Sequence, residues 1–353
     1  MPAAPSMDRR ELHGLRYACI EGCGFCCTFT PEASAPELAK LKTRFPQLPI
    51  TRTGEMVLLA PQGGCGACTL LKNKRCTAYE DRPAHCRYFP FHVYFGRRTE
   101  VYVNRCCRGV EVAAGGNLQR EFDDQVSRVA PAYRLQKGQE RADTVNRMFE
   151  KAARESGMWG DVDREIKTNL ERGARWFQPA SWPPTPTGSA EEAGSPSEAW
   201  ALALAPLAAE DPMVRPYHLA ADLTWFGFRM QGDEVVAETL TEDGRLVPHK
   251  ALGKFPAWPK LPPEVQEGLH AIMVRLATRD LLAGAIHYFV DDTGYEVSVA
   301  DATGIKLGDI AADLALRADI LHRMGIPWTD VPAEAERFYD SAFLDLPTIG
   351  GWL

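Results

Sequence analysis

The sequence predicts an α+β protein in which helices predominate. Long segments rich in Ala, Glu, Lys and Arg have helical spacing, and short alternating segments bounded by Gly and Asp resemble strands. The length of 353 residues favours two domains. We expect a cysteine-rich domain with a helical extension over residues 1–177, a linker over 178–199 and a smaller α+β domain over 200–353.

The composition is that of a globular protein. Hydrophobic residues make up 45% and charged residues 25%, which excludes a wholly disordered chain, a collagen and a coiled coil. No apolar run is long enough to cross a membrane, and the first ten residues lack the apolar core of a secretion signal. We therefore expect a cytoplasmic protein, in which thiols stay reduced.

Individual elements follow from periodicity and turn residues. In the N-terminal half the patterns predict a helix over 31–45, a strand over 55–60, a hairpin of 91–95 with 101–103, and two or three helices over 117–176. In the C-terminal half they predict two strands over 223–247, a long helix over 263–289, a strand over 295–299 and a helix over 307–324. Residues 178–199 contain five prolines and few apolar groups, as is typical of a linker.

All ten cysteines lie between Cys19 and Cys107, and the 246 residues that follow contain none. They form three groups: Cys19-x3-Cys23-Gly24-x-Cys26-Cys27, then Cys65-x2-Cys68 with Cys76 and Cys86, then Cys106-Cys107. Such concentration indicates one local task, which in a cytosolic protein is usually metal binding. Reduced structural thiols are the alternative.

Closely spaced thiolates can surround one soft metal centre. Gly22 and Gly24 allow the tight backbone that such a loop needs. Ligation by many thiolates and few histidines suits zinc or an iron–sulfur cluster. Arg82 and Arg87, which flank Cys86, could donate to cluster sulfurs or fix the local turn, and nearby aromatic residues could exclude water. The histidines near the cysteines, which are less favoured as ligands, are His13, His85 and His92.

Two segments carry a family resemblance. CIEGCGFCC and CTLLKNKRCTAYEDRPAHCRYFPF resemble the bacterial YkgJ-type cysteine-cluster proteins, which are described as zinc- or iron-chelating. The resemblance runs from about Cys19 to Cys107. It implies that the metal ligands include Cys23, Cys26, Cys27, Cys68, Cys76 and Cys86. The last cysteine of the family pattern corresponds to Cys106 or Cys107. Three residues separate Cys19 from Cys23 where two are usual, and Cys65 is an additional cysteine.

A more distant likeness concerns flagellin lysine N-methylases, which carry a related N-terminal cysteine cluster before a larger helical region. That likeness implies an enzyme that modifies a protein or peptide. The chain lacks the glycine-rich strand–turn–helix pattern expected for S-adenosylmethionine.

The function we expect is metal binding, through one or two iron–sulfur clusters of the 4Fe–4S type, with a redox or metal-handling role. Zinc is the alternative cofactor, and a zinc-stabilised interaction module or a protein-modifying enzyme is the alternative function. The expected metal ligands are Cys19, Cys23, Cys26, Cys27, Cys68, Cys76, Cys86, Cys106 and Cys107. A protein partner or substrate stays open.

Charge gives no reason to expect nucleic-acid or membrane binding. Residues 1–110 hold 16 Lys and Arg against 9 Asp and Glu, a balance of +7, and the remainder balances at −14. Basic residues near thiolates lower the thiol pKa, which accounts for the local excess. No motif interleaves aromatic and basic residues as single-strand binding proteins do.

The two cysteine doublets suggest how the ligands divide. Adjacent side chains point in different directions, so Cys26 and Cys27 do not easily reach one small centre, nor do Cys106 and Cys107. Both doublets are explained by two metal centres, each doublet giving one sulfur to each centre, with Cys65 spare. The alternative is a single centre with one bystander in each doublet.

Overall fold

The computed structural model describes residues 7–53, 56–64, 66–129, 132–181, 195–211, 215–255, 258–342 and 349–351. The N-terminal half is built from short strands and, after them, longer helices. Its elements are β1 (Arg16–Tyr17), α1 (Ala35–Arg44), β2 (Ile50–Thr53), β3 (Met56–Leu59), β4 (Leu71–Lys72), β5 (Arg75–Cys76), α2 (Ala84–Tyr88), β6 (Phe91–Phe95), β7 (Thr99–Val103), β8 (Gly116–Asn117), α3 (Leu118–Val129), α4 (Ala132–Glu155) and α5 (Val162–Leu170).

The C-terminal half places a strand meander between helices. Its elements are α6 (Pro196–Ala208), β9 (Tyr217–Leu219), β10 (Trp225–Gln231), β11 (Glu234–Leu240), β12 (Leu246–Lys254), α7 (Pro263–Ala277), α8 (Asp280–Asp292), α9 (Val299–Met324), α10 (Val331–Ser341) and β13 (Ile349–Gly351). The α+β class with predominant helices is thereby confirmed. Within the described ranges, no helix is both long and apolar enough to span a membrane.

The sheets are small and mostly antiparallel. The largest has the strand order β12-β11-β10-β9, and a second has the order β13-β6-β7, in which β13 runs parallel to β6. Three two-stranded pairs complete the set: β1 with β8, β2 with β3, and β4 with β5. The sheets therefore fix local loops, while the extended core belongs to the helices.

The largest hydrophobic core surrounds α9, which is buried over most of its length. Residues from α4 and α5, such as Phe149 and Ile166, pack into this core together with Trp176. A second core lies around β6, β7 and α3. The helical extension of the N-terminal half thus packs directly on the C-terminal helices.

Buried ion pairs also join the two halves. The guanidinium of Arg279 donates to Glu11 at 2.7 Å and to Asp340 at 3.3 Å, and Arg279 is only 6% exposed. On the neighbouring hairpin, Arg97 Nε donates to Asp280 Oδ1 at 2.8 Å. The predicted boundaries at 177 and 200 stay a prediction. Part of the predicted linker, residues 182–194, lies outside the described residues, and Pro196–Ala199 form the first turn of α6.

Two predicted elements were wrong. The single helix predicted over 263–289 is two helices, because the backbone at Arg279 is extended and interrupts the helix. The Arg279 side chain enters the buried ion pairs at this break. The carboxylate of the next residue, Asp280, accepts the backbone N–H of Arg97. Residues 295–298 are not a strand, since Ser298 caps α9 by accepting from Asp301 N. The predicted helices over 31–45 and 307–324, the hairpin after Phe91 and the strands around Gly232 are confirmed.

Candidate metal centre

The first cysteine group lies on a loop that turns back on itself. Gly22 and Gly24 adopt φ of 77° and 63°, in the left-handed region that favours glycine, as the sequence predicts. A single 3-10 turn follows over Phe25–Cys27, and the buried Phe25 ring anchors it. Within this turn the side chains of the adjacent Cys26 and Cys27 are hydrogen-bonded to each other, contrary to the expectation that they point in different directions.

The second group is carried by a hairpin and a short helix. Cys76 ends β5, beyond a tight turn in which Asn73 and Lys74 have positive φ. The backbone N–H of Cys68 donates to the carbonyl of Cys27 at 2.7 Å, which ties this group to the first loop. Cys86 lies in α2, held in place by the contacts of two neighbouring residues.

Those contacts fix α2 against the rest of the module. Glu37 of α1 accepts the backbone N–H of Ala84 at 2.7 Å. Arg87 donates to the carbonyls of Arg82 and Glu80, so it fixes the local turn, the structural one of its two predicted roles. Cys86 is therefore presented by a rigid turn.

The third cysteine group, Cys106 and Cys107, follows β7 in a turn that hydrogen bonds from Asn104 hold in place. Its side-chain carbonyl accepts the backbone N–H of Cys106 at 3.0 Å, and its amide donates to the carbonyl of Asp340 at 3.1 Å. Arg108 continues the turn and donates to the carbonyl of Leu219 and to Glu334. The C-terminal half therefore positions this doublet.

Six cysteines from the first two groups surround one cavity of about 340 Å³. They are Cys19, Cys26, Cys27, Cys68, Cys76 and Cys86. The intervening wall is mostly apolar, with Phe29, Leu59 and Leu71, and its basic residues include Lys74 and Arg82. A dry wall with a few cations suits a bound thiolate-ligated centre.

The remaining predicted ligands lie at the edge of this arrangement. Cys23 and the buried Cys106 pack with Phe25 and Trp225, and Cys107, like Tyr17, packs against the core around β6, β7 and α3. Cys65 falls outside the described residues. The nine described cysteines are free thiols. Among the residues with described positions, no three Cys, His, Asp or Glu side chains converge closely enough to hold a single metal ion.

Burial dominates the electrostatics of these thiols. It raises the pKa of Cys23 and of Cys68 to about 11 and the pKa of Cys86 well above its ordinary value. Cys26 is the exception, because a hydrogen bond from Cys27 and the charge of Arg82 lower its pKa. For Cys23, Cys68 and Cys86, nearby cations and hydrogen bonds do not outweigh burial, and a bound metal centre would supply the positive charge that favours their thiolate form.

The histidines near the cysteines do not line the cavity. His85 stacks on Phe29, and its Nδ1 accepts the backbone N–H of Glu32 at 3.3 Å. His92 is buried beside Asn104, and His13 lines a different cavity. Among the described residues, the Cys, His, Asp and Glu side chains that line the cavity are therefore the six cysteines and Glu21.

The expected aromatic shell is only partly present. Tyr79 stands at the cavity edge, whereas Tyr88 and Phe91 belong to the core around β6. Phe89, another member of the expected shell, lies beside the cysteines together with Phe29 and Trp225. Sequence reasoning missed Trp225, which is about 200 positions from the cysteine that it contacts and stands in no motif.

Comparisons with known proteins agree with the site. Residues 18–108 match the family model CxxCxxCC, "Putative zinc- or iron-chelating domain". A stretch of 120 residues is 34% identical to an uncharacterized protein of Methanocaldococcus jannaschii, and the match covers 30% of this chain and 63% of that relative. No solved structure matches the chain. The comparisons give no support to the likeness to flagellin lysine N-methylases, and they confirm the resemblance of residues 18–108 to a zinc- or iron-chelating domain.

Proposed function

We propose that the N-terminal half holds iron–sulfur clusters of the 4Fe–4S type and that the protein has a redox or metal-handling role. The observation that carries this proposal is the cavity of about 340 Å³ with six cysteines in its wall. Apolar side chains make up much of the rest of its wall, and two left-handed glycines shape the loop that carries the first cysteines.

The number of thiols favours a cluster over a single zinc ion. A structural zinc site closes with four ligands, whereas six cysteines line this cavity. Cysteine thiolates are the ligands that hold iron–sulfur clusters.

Charge supports the same interpretation. A cluster ligated by four thiolates is anionic, and Arg82 and Lys74 in the cavity wall offset that charge. We place the protein in the cytoplasm, because the nine described cysteines are free thiols and clusters need reduced ligands.

Anaerobic purification with visible spectroscopy tests the proposal. The protein should be brown, with broad visible absorption that bleaches on reduction with dithionite and returns on gentle oxidation. A colourless protein that carries zinc would contradict the iron–sulfur assignment and favour a structural metal site.

A further inference from the structure

One residue of the C-terminal half, Glu242, contacts the chain just before two of the cavity cysteines. It lies on the turn between β11 and β12. Its backbone carbonyl accepts the N–H of Ala67 at 3.0 Å. One oxygen of its carboxylate accepts the N–H of Lys74, which is 168 positions away in sequence. Ala67 immediately precedes Cys68, and Lys74 lies two residues before Cys76, so Glu242 links the two cysteine-bearing segments.

The β11–β12 turn meets the first of these segments backbone to backbone. A Cβ at Gly66 would stand 2.4 Å from the backbone nitrogen of Gly244 and 2.6 Å from the carbonyl oxygen of Glu242. Ala67 is buried, and its carbonyl accepts the backbone N–H of Gln62 at 2.8 Å. The main chain of the turn therefore fixes the main chain that leads directly into a cavity cysteine.

The second segment is held by side chains that come from both halves. Asn73 and Lys74, in the β4–β5 turn, have φ of 52° and 55°. Non-glycine residues rarely adopt this region, and they keep it where the surrounding structure holds them. The Glu242 carboxylate holds the backbone of Lys74, and Lys74 Nζ donates to the carbonyl of Leu223 at 2.7 Å. The turn that leads to Cys76 is thus fixed from the C-terminal half.

Asp243, the next residue of the β11–β12 turn, has a different role. Its carboxylate accepts from Thr241 and from Arg245 Nε, the latter at 2.8 Å, so its side chain bonds within its own turn. The side chain is 54% exposed. Asp243 therefore matches Glu242 in charge and position but not in its contacts.

We propose that Glu242 is a positioning residue of the metal centre, which holds the segments of Cys68 and Cys76 at the separation that a bound centre requires. Both cysteines line the cavity, so a shift of either segment changes the distance between their sulfurs. The presence of metal rests on the proposed function, whereas the hold of Glu242 on both segments is geometry of the chain itself. By linkage, a bound centre stabilises the β11–β12 turn in return.

Three variants of the full chain test this role through metal affinity. Glu242→Ala removes the side-chain acceptor, Glu242→Gln keeps an oxygen that can accept the same N–H, and Asp243→Ala is the matched control. Competition with a chelator after anaerobic purification measures the affinity. Glu242→Ala should bind metal about tenfold more weakly, because it loses a hydrogen bond to a charged group. Glu242→Gln and Asp243→Ala should stay near the wild type.

Backbone hydrogen exchange gives a second readout, which does not need the metal. In the metal-free chain, residues 72–76 should exchange faster in Glu242→Ala than in the wild type and unchanged in Asp243→Ala. Loading the wild type with metal should slow exchange in residues 241–245, and Glu242→Ala should lose this slowing. If circular dichroism shows that Glu242→Ala is misfolded, Glu242→Asp, whose side chain is one methylene shorter, must show the same losses.

The outcomes separate this proposal from the proposed function. Affinity and exchange of Glu242→Ala equal to those of the wild type would overturn the role of Glu242 alone. Equal losses in Glu242→Ala and in either Glu242→Gln or Asp243→Ala would overturn it as well. Zinc bound with the expected pattern of affinities would overturn the iron–sulfur proposal and leave the role of Glu242 standing.

Discussion

Arg82 is the basic residue whose charge acts on most of the cysteines in the cavity wall. Its guanidinium carbon lies 4.0 Å from the centroid of the Tyr79 ring, within the cavity wall. Its charge acts to lower the pKa of Cys19, Cys26 and Cys76. Unlike Arg87, which fixes the turn, Arg82 contributes positive charge where thiolates collect.

Replacing Arg82 should weaken the metal centres without unfolding the chain. We expect Arg82→Met to reduce metal affinity by about tenfold, since one lost charge contact at a partly buried site is worth roughly 1–2 kcal/mol, and to lower the reduction potential. Arg82→Lys should retain most of both. Competition with a chelator and redox titration measure the effects.

Arg75 provides the control for Arg82. It lines the same cavity, but its side chain is 72% exposed and pairs with Glu21. Equal losses in Arg75→Met and Arg82→Met would show that general surface charge, and not the position of Arg82, determines the effect.

Glu334 is a partly buried carboxylate that forms an ion pair with Arg108, in the turn that follows the last cysteine. Arg108 Nη1 donates to it at 2.9 Å, and His218 Nε2 lies 3.3 Å away. Burial raises the pKa of Glu334, but His218 and Arg108 together outweigh burial and bring it to about 2. This pKa lies below that of an unfolded glutamate. The contacts of the ionised Glu334 therefore stabilise the fold above about pH 4.3, and this stabilisation is lost as the pH falls towards 2.

Glu334→Gln should therefore destabilise the protein by about 1–3 kcal/mol at pH 7. Denaturant unfolding of wild type and variant at pH 7 and at pH 3 measures the difference at each pH. The difference should be smaller at pH 3, and a constant difference would mean that the charge of Glu334 contributes nothing.

At the scale of elements, the meander of the C-terminal half holds the cysteine loops. Trp225 Nε1, on β10, donates to the carbonyl of Cys23 at 3.0 Å, and Lys74 Nζ lies 5.1 Å from the indole ring centroid. The β11–β12 turn approaches so closely that a Cβ at Gly63 would stand 2.2 Å from the carbonyl oxygen of Asp243. The loop that carries Cys23 and the loop that carries Gly63 are therefore both fixed by residues distant in sequence.

Trp225→Phe should separate hydrogen bonding from packing at this contact. It keeps an aromatic ring but loses the bond to Cys23, so we expect a loss of about 1–2 kcal/mol in stability. Metal loading should fall as well, because the loop that carries Cys23 loses this bond. Denaturant unfolding and metal per chain after anaerobic purification measure the two effects. Stability and metal loading equal to those of the wild type would contradict a role for the bond.

Local patterns predicted much of the fold. Alternation around Gly96 and Gly232 and the helical spacing of Leu38 and Leu41 gave the correct elements, because these segments bury one face each. The break at Arg279 escaped prediction, since it depends on ion pairs with Glu11 and Asp340. The cap at Ser298 was visible in the sequence, with Asp301 three residues later, and was overlooked.

The candidate site, like the fold, was predictable where local spacing determines it and not where distant residues do. Spacing identified the cysteines and the need for glycine at positions 22 and 24. It could not distinguish Cys106 from Cys107, because their difference arises from the side chains of Leu219 and Trp225, which pack on only one of them.

At the scale of the whole molecule, metal and fold are expected to depend on each other. The cysteine-bearing segments consist of short strands and single turns, so metal bonds must replace part of a core there. Removing the metal with a chelator should make residues 15–110 sensitive to protease, with fragments identified by mass spectrometry. Equal resistance of the metal-free and loaded protein in this region would contradict that dependence.

The most direct test of the account is the content of iron and acid-labile sulfide in the full chain, purified and reconstituted without oxygen. Two 4Fe–4S clusters predict about eight iron atoms and about eight sulfides per chain. Zinc without sulfide, or no bound metal after reconstitution, would contradict the claim that these cysteines hold iron–sulfur clusters.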